Sequence, residues 1–77
     1  MESKLRAYVY WYIMDNYGST EYVHIIAVSE KQANYFWYNY LHKVIGGAYD
    51  YCVDPCNVFK CNHTHNLGDI LGQNARI

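Results

Sequence analysis

Three cysteines and two histidines lie within fourteen consecutive residues of this 77-residue chain. The run reads Cys52-Val-Asp-Pro-Cys56-Asn-Val-Phe-Lys-Cys61-Asn-His63-Thr-His65. It has few residues suited to an apolar core, and a chain this short can build only a thin core. Small domains commonly add disulfides, a metal ion or a partner chain to reach useful stability. Something besides apolar packing should therefore order this run.

The chemistry of the run favours a metal ion over disulfides. An odd number of cysteines leaves one thiol over, and the opening residues lack the apolar centre of a secretory signal, so we expect a reducing cytoplasm. Thiolate and imidazole are favoured zinc ligands, and four protein ligands close the shell of a structural site. We predict a structural Zn2+ held by Cys52, Cys56, Cys61 and His65, with His63 as the alternative fourth ligand. The competing interpretation is that the cysteines are small buried residues and the histidines are surface residues.

The first part of the chain is predicted to form a β-hairpin. Residues 5–14 and 21–28 are rich in β-branched and aromatic types, and the segment between them has turn-forming Asp, Asn, Gly and Ser. Successive strand residues point to opposite faces of a sheet. One face of the first strand should therefore hold Leu5, Ala7, Val9, Trp11 and Ile13, and the other Arg6, Tyr8, Tyr10 and Tyr12.

Aromatic residues are abundant, with ten tyrosines among the 77 residues. Tyr8, Tyr10 and Tyr12 share one predicted face of the first strand, and tyrosine is common at protein interfaces because it buries a large area while keeping a polar group. We predict that these three residues form a partner-binding surface. The alternative is that one face of the sheet packs on the helix and the other is merely aromatic and partly exposed.

A helix is predicted over residues 30–45. Ser29 and Gln32 fit the capping box at its start, and Gly46 and Gly47 fit its end. Apolar residues recur at helical spacing and predict a core-facing stripe of Ala33, Phe36, Trp37, Tyr40, Leu41 and Val44.

These elements predict an α+β fold in one domain, residues 1–77. A strand-strand-helix unit covers residues 1–47, and a zinc-stabilised segment with a short third strand near 49–53 covers residues 48–77. No run approaches the length of a membrane span.

Charge argues against a nucleic-acid partner. The formal net charge is −1 and the isoelectric point is about 6.4, whereas nucleic-acid binding usually needs a basic patch. A zinc ion with four protein ligands has no open position for catalysis. We therefore expect a non-enzymatic, protein-binding molecule.

The size, the strand-strand-helix start and the Cys/His block resemble the type II-A anti-CRISPR proteins of bacteriophages. The resemblance implies an inhibitor in the bacterial cytoplasm that binds an RNA-guided CRISPR nuclease and blocks target DNA loading or cleavage. Cys61 and His65 also resemble the end of Cys3His fingers, which bind RNA. The alternative function is therefore a small zinc-finger-like nucleic-acid-binding module.

Overall fold

The computed structural model describes residues 4–14, 18–61 and 64–72. It confirms the predicted α+β fold of one helix and an antiparallel sheet. The elements in chain order are β1 (Arg6–Ile13), β2 (Thr20–Ala27), α1 (Glu30–Tyr40), β3 (Asp50–Tyr51), β4 (Asn57–Lys60) and β5 (Ile70–Leu71). No helix within the described ranges is long and apolar enough to cross a membrane.

Strand β1 lies at the centre of the sheet. It pairs along its whole length with β2, from Arg6 opposite Ala27 to Ile13 opposite Thr20, which confirms the predicted hairpin. The other edge of β1 is shared by β3 at one end and β4 at the other, and β5 pairs with β2. The strands that follow the helix therefore extend the sheet begun by the hairpin. Of the predicted turn, residues 15–17 lie outside the described ranges.

The tyrosine face of β1 packs against the helix, which corrects the predicted partner surface. Tyr8 is 7% exposed and Tyr10 is fully buried. The ring of Tyr10 stacks on Trp37 with centroids 4.8 Å apart, and Tyr12 lies 6.1 Å from the same indole. Tyr8 and Tyr10 are core residues because their large rings fill the space between the helix and the sheet. Of the three tyrosines, only Tyr12 keeps partial exposure.

Helix α1 begins as the sequence predicts. The Ser29 hydroxyl accepts a hydrogen bond from the backbone N–H of Gln32, and the Gln32 side chain accepts one from the N–H of Val28. These two bonds satisfy backbone donors where the helix has no preceding turn.

The last turn of the helix, Leu41–Ile45, is π-helical, and Gly46 follows it with a left-handed φ of 77°. The N–H of Gly46 donates to the carbonyl of Leu41, five residues earlier, at 3.1 Å. This wider turn carries Ile45 onto the core and leaves Val44 67% exposed, so the predicted stripe is wrong at Val44.

The face of the sheet away from the helix is also buried at its centre. Ala7 and Ile26 are fully buried, and Phe59 of β4 pairs opposite Ala7. The ring of His24 lies 6.4 Å from the Phe59 ring, and its Nδ1 is buried with no hydrogen-bond partner among the described residues. Desolvation lowers the pKa of His24, although a hydrogen bond with the backbone of Gly72 opposes the shift.

Acid should weaken the fold through His24. The folded protein holds the pKa of this imidazole below its ordinary 6.5, so the unfolded chain binds the proton more readily. The free energy of unfolding should therefore fall as pH drops below about 6.5. Denaturant titrations at about pH 7.5 and about pH 5.5 measure this difference. His24→Gln should reduce it, whereas the exposed control His42→Gln should retain it; equal pH dependence in both variants would contradict the assignment.

Candidate functional site

A groove of about 310 Å³ opens between helix α1 with its π-helical last turn and the segment 51–53. It is lined by Asn34, Trp37, Tyr38, Leu41, Tyr51 and Val53. Its lining is mainly aromatic and aliphatic, which is typical of sites that receive an apolar group.

The spacing of helical residues builds one wall of the groove. Asn34, Tyr38 and Leu41 follow at intervals of four and three, so they lie along one face of the helix together with Trp37. On the sheet side, Tyr51 pairs opposite Tyr12 and so shares the face that packs on the helix.

The groove has a buried floor and exposed walls. Trp37 is 2% exposed and Leu41 5%, whereas Tyr38 is 62% exposed and Val53 72%. A single exposed apolar residue is ordinary, but several around one concavity mark an interaction surface. The centroid of the Tyr38 ring lies 4.3 Å from that of His42.

Two hydrogen bonds attach the sheet-side wall to the helix, and a third holds Asn34 of the helix against the core. The indole N–H of Trp37 donates to the carbonyl of Cys52 at 2.8 Å. The Asn34 side-chain amide donates to the Asp54 carboxylate at 3.1 Å and accepts from the Tyr10 hydroxyl at 2.6 Å. The wall is therefore positioned by the same residues that form the core.

The groove carries negative charge at its edge. Asp54 is exposed, and its carboxylate is bonded to the lining residue Asn34. Burial, followed by the charges of Cys52, Glu30 and Asp54, raises the pKa of the Tyr10 hydroxyl far above its ordinary value. No lysine or arginine is among the groove's lining residues in the described part of the chain.

The two cysteines of the loop after β3 lie on the same edge of β1. The backbone N–H of Cys52 donates to the carbonyl of Trp11 at 3.2 Å, and its Sγ accepts from the N–H of Trp11 at 3.2 Å. The N–H of Cys56 donates to the carbonyl of Val9 at 2.8 Å. Burial is the main cause that raises the pKa of the Cys52 thiol, while Cys56 is exposed.

Cys61 lies at the opposite end of β4. The four residues of that strand occupy about 13 Å at about 3.3 Å each, and its last residue, Lys60, pairs opposite Arg6. Two thiolates on one zinc ion each lie about 2.3 Å from it. Cys56 and Cys61 therefore do not fit one ion while β4 stays paired with β1.

The predicted zinc ligands do not converge in the described part of the chain. No group of three or more His, Cys, Asp or Glu residues that could hold a metal ion occurs among residues 4–14, 18–61 and 64–72. His65 precedes the turn at Asn66–Asp69, which bonds to Ile26 of β2, and His63 lies outside the described ranges. Zinc binding stays a prediction, and the whole predicted set could bind only if β4 left the sheet.

The groove was not predicted from the sequence, although a signal for it was present. Tyr49, Tyr51 and Val53 alternate with polar residues or cysteine in the segment predicted as the third strand. Such alternation places all three on one side of an extended chain. Leu41 was assigned only to the core stripe of the helix, so its position opposite this segment, together with Tyr38, was not foreseen.

The zinc content of the purified protein distinguishes the predicted zinc site from the pairing of β4 with β1. If β4 stays paired with β1, protein purified without added metal should contain well below one zinc per chain. We also expect the amide protons of β4 to exchange equally slowly with and without a chelator. About one zinc per chain, lost in Cys56→Ser and in Cys61→Ser, would instead establish the predicted ligand set.

Trp37→Phe should show how strongly the helix holds the loop. Phenylalanine retains a ring on Tyr10 but loses the N–H that donates to the Cys52 carbonyl. We expect the free energy of unfolding to fall by about 2 kcal/mol, because the carbonyl loses its partner in a partly buried position. Denaturant titration measures this. Tyr35→Phe, on an exposed part of the same helix, should change stability little; equal effects would show that the indole bond contributes nothing specific.

Comparison with known proteins finds no match among family models, curated proteins or solved structures. The function is therefore inferred from the geometry of this chain.

Proposed function

We propose that this protein binds a protein partner through the groove between helix α1 and the segment 51–53. The supporting observation is the combination of a buried floor, Trp37 and Leu41, with walls formed by exposed Tyr38, Tyr51 and Val53. Aromatic residues at the centre of an interface contribute much of the binding energy because they bury large rigid surfaces.

The groove suits an apolar side chain flanked by a basic residue. A volume of about 310 Å³ is at the lower end of ligand pockets, which is room for one or two large side chains. Asp54 at the edge favours a neighbouring lysine or arginine on the partner. The occupant is thus a short basic and hydrophobic segment of another protein.

The resemblance to anti-CRISPR proteins supplies the partner class to test. RNA-guided nucleases hold their heteroduplex in a positively charged channel, so they present basic surface of the kind the groove favours. We propose that the protein binds such a nuclease in the bacterial cytoplasm and blocks DNA loading or cleavage, without turnover of its own.

A capture experiment with matched variants tests the proposal. Tagged protein is mixed with a purified type II nuclease and guide RNA, before or after target DNA is added, and binding and DNA cleavage are measured. Tyr38→Ala and Val53→Asp should weaken binding at least about tenfold, since each removes or charges a groove wall. Tyr35→Ala is the control, because Tyr35 is 65% exposed on the same helix but does not line the groove.

The outcomes test the identity of the partner separately from the location of the contact surface. Absence of nuclease binding would reject the anti-CRISPR function, and equal binding by Tyr35→Ala and Tyr38→Ala would reject the groove as the contact surface. Retention by single-stranded RNA, falling steeply with added salt, would favour the nucleic-acid-binding alternative. Circular dichroism of each variant shows that it is folded.

A further inference from the structure

We propose that Cys52 and Cys56 form a reversible dithiol–disulfide pair that closes the loop between β3 and β4. This loop, residues 52–56, crosses from one strand to the next along a single edge of β1. A pair of thiols held at the two ends of such a loop can be joined without disturbing the sheet.

The hydrogen bonds to β1 set the separation of the two residues. Cys52 bonds to the carbonyl of Trp11 and Cys56 to that of Val9. Carbonyls two residues apart on a strand point to the same edge, about 6.6 Å from each other. Disulfide-bonded cysteines usually have Cα atoms about 4.4–6.8 Å apart, which is close to the spacing of the two carbonyls that hold Cys52 and Cys56. A small movement of the loop is therefore enough to form the bond.

The environments of the two thiols differ in a way that suits stepwise formation of this bond. The Sγ of Cys52 lies on the edge of β1, 3.2 Å from the N–H of Trp11, and Cys56 is exposed to solvent. The charge of Cys56 contributes to the raised pKa of Cys52, as expected for thiols that are near each other. Cys61 interacts instead with Arg6, at the far end of β4.

The exposed thiol reacts first with a small-molecule disulfide. The Cys56 thiolate attacks one sulfur of the oxidant, forms a mixed disulfide and displaces one small thiolate. Cys52 then loses its proton to solvent, and its thiolate attacks the Cys56 sulfur and displaces the second small thiolate. Two protein thiols are oxidised, the small disulfide is reduced to two thiols, and the protons released by the protein are available to them. In a reducing cytoplasm such a bond is transient, which is typical of redox-sensing pairs.

Closure of the loop would act on the groove, and this consequence rests on the proposed function. Val53 and Asp54 lie inside the loop, and the Cys52 carbonyl accepts the Trp37 indole bond. Drawing Cys52 toward Cys56 shifts Val53 and strains the bonds from Asn34 and Trp37. The oxidised form should therefore bind the groove's partner more weakly than the reduced form.

Oxidation of the full chain tests the pair without any partner. Reduced protein, free of small thiols, is incubated with oxidised glutathione and then alkylated, and the products are identified by intact mass and peptide mapping. The expected main product is a monomer lighter by two hydrogen atoms, with Cys52 linked to Cys56 and Cys61 alkylated; dithiothreitol should reverse it. Cys61→Ser should give the same bond, and Cys56→Ser should give none.

Several results would overturn the pair. These are a bond that includes Cys61, a stable glutathione adduct on Cys56, a disulfide-linked dimer as the main product, or thiols protected by about one zinc per chain. The effect on the groove is measured separately, by comparing capture of the nuclease by oxidised and reduced protein. We expect oxidation to weaken capture at least about threefold, and equal capture would remove the regulatory role while leaving the disulfide standing. Loss of nuclease capture by both forms would count against the proposed function alone.

Discussion

The stacking of Trp37 on Tyr10 is the contact on which the rest of this structure depends. A 77-residue chain whose described residues contain a single helix has few ways to cover a sheet, and here the centroid of one indole lies 4.8 Å from that of a fully buried tyrosine ring. The same indole forms the floor of the groove and donates its N–H to the loop that builds the groove's outer wall. The fold and the candidate binding surface therefore share the Trp37 side chain. A substitution there would alter both the stability of the fold and the shape of the groove.

The strands and the helix of the first half were predictable because their signals are local. Alternation of β-branched and aromatic residues identifies the hairpin, and the Ser29 cap identifies where the helix begins. The face of β1 that meets the helix was not predictable, since both faces carry apolar residues. Contacts distant in sequence place the Tyr10 face of β1 against the helix. The Tyr10 ring stacks on Trp37, and the Tyr10 hydroxyl donates a hydrogen bond to Asn34.

The second half of the chain depends on partners that no local pattern reveals. Strand β4 has only four residues, all exposed, and its pairing is determined by the free edge of β1 beside Ala7 and Val9. The density of cysteine and histidine favoured a metal-bound loop there. Density along the chain does not require convergence in space, because an extended strand carries Cys61 away from Cys56 by more than a coordination shell can span.

The π-helical turn at Leu41–Ile45 determines the direction in which the chain leaves the helix. Its hydrogen bond encloses one residue more than the bond of an ordinary helical turn, and Gly46 then takes a left-handed conformation. Each residue of an α-helix rotates the chain by about 100° about the axis, and a residue of the wider π-helical turn rotates it less. Deletion of a single residue from this turn would thus swing the exit of the helix through roughly a right angle. The chain would then approach β1 from a different direction and could not place β3 on the same edge. The length of this one turn therefore determines the position of the third strand.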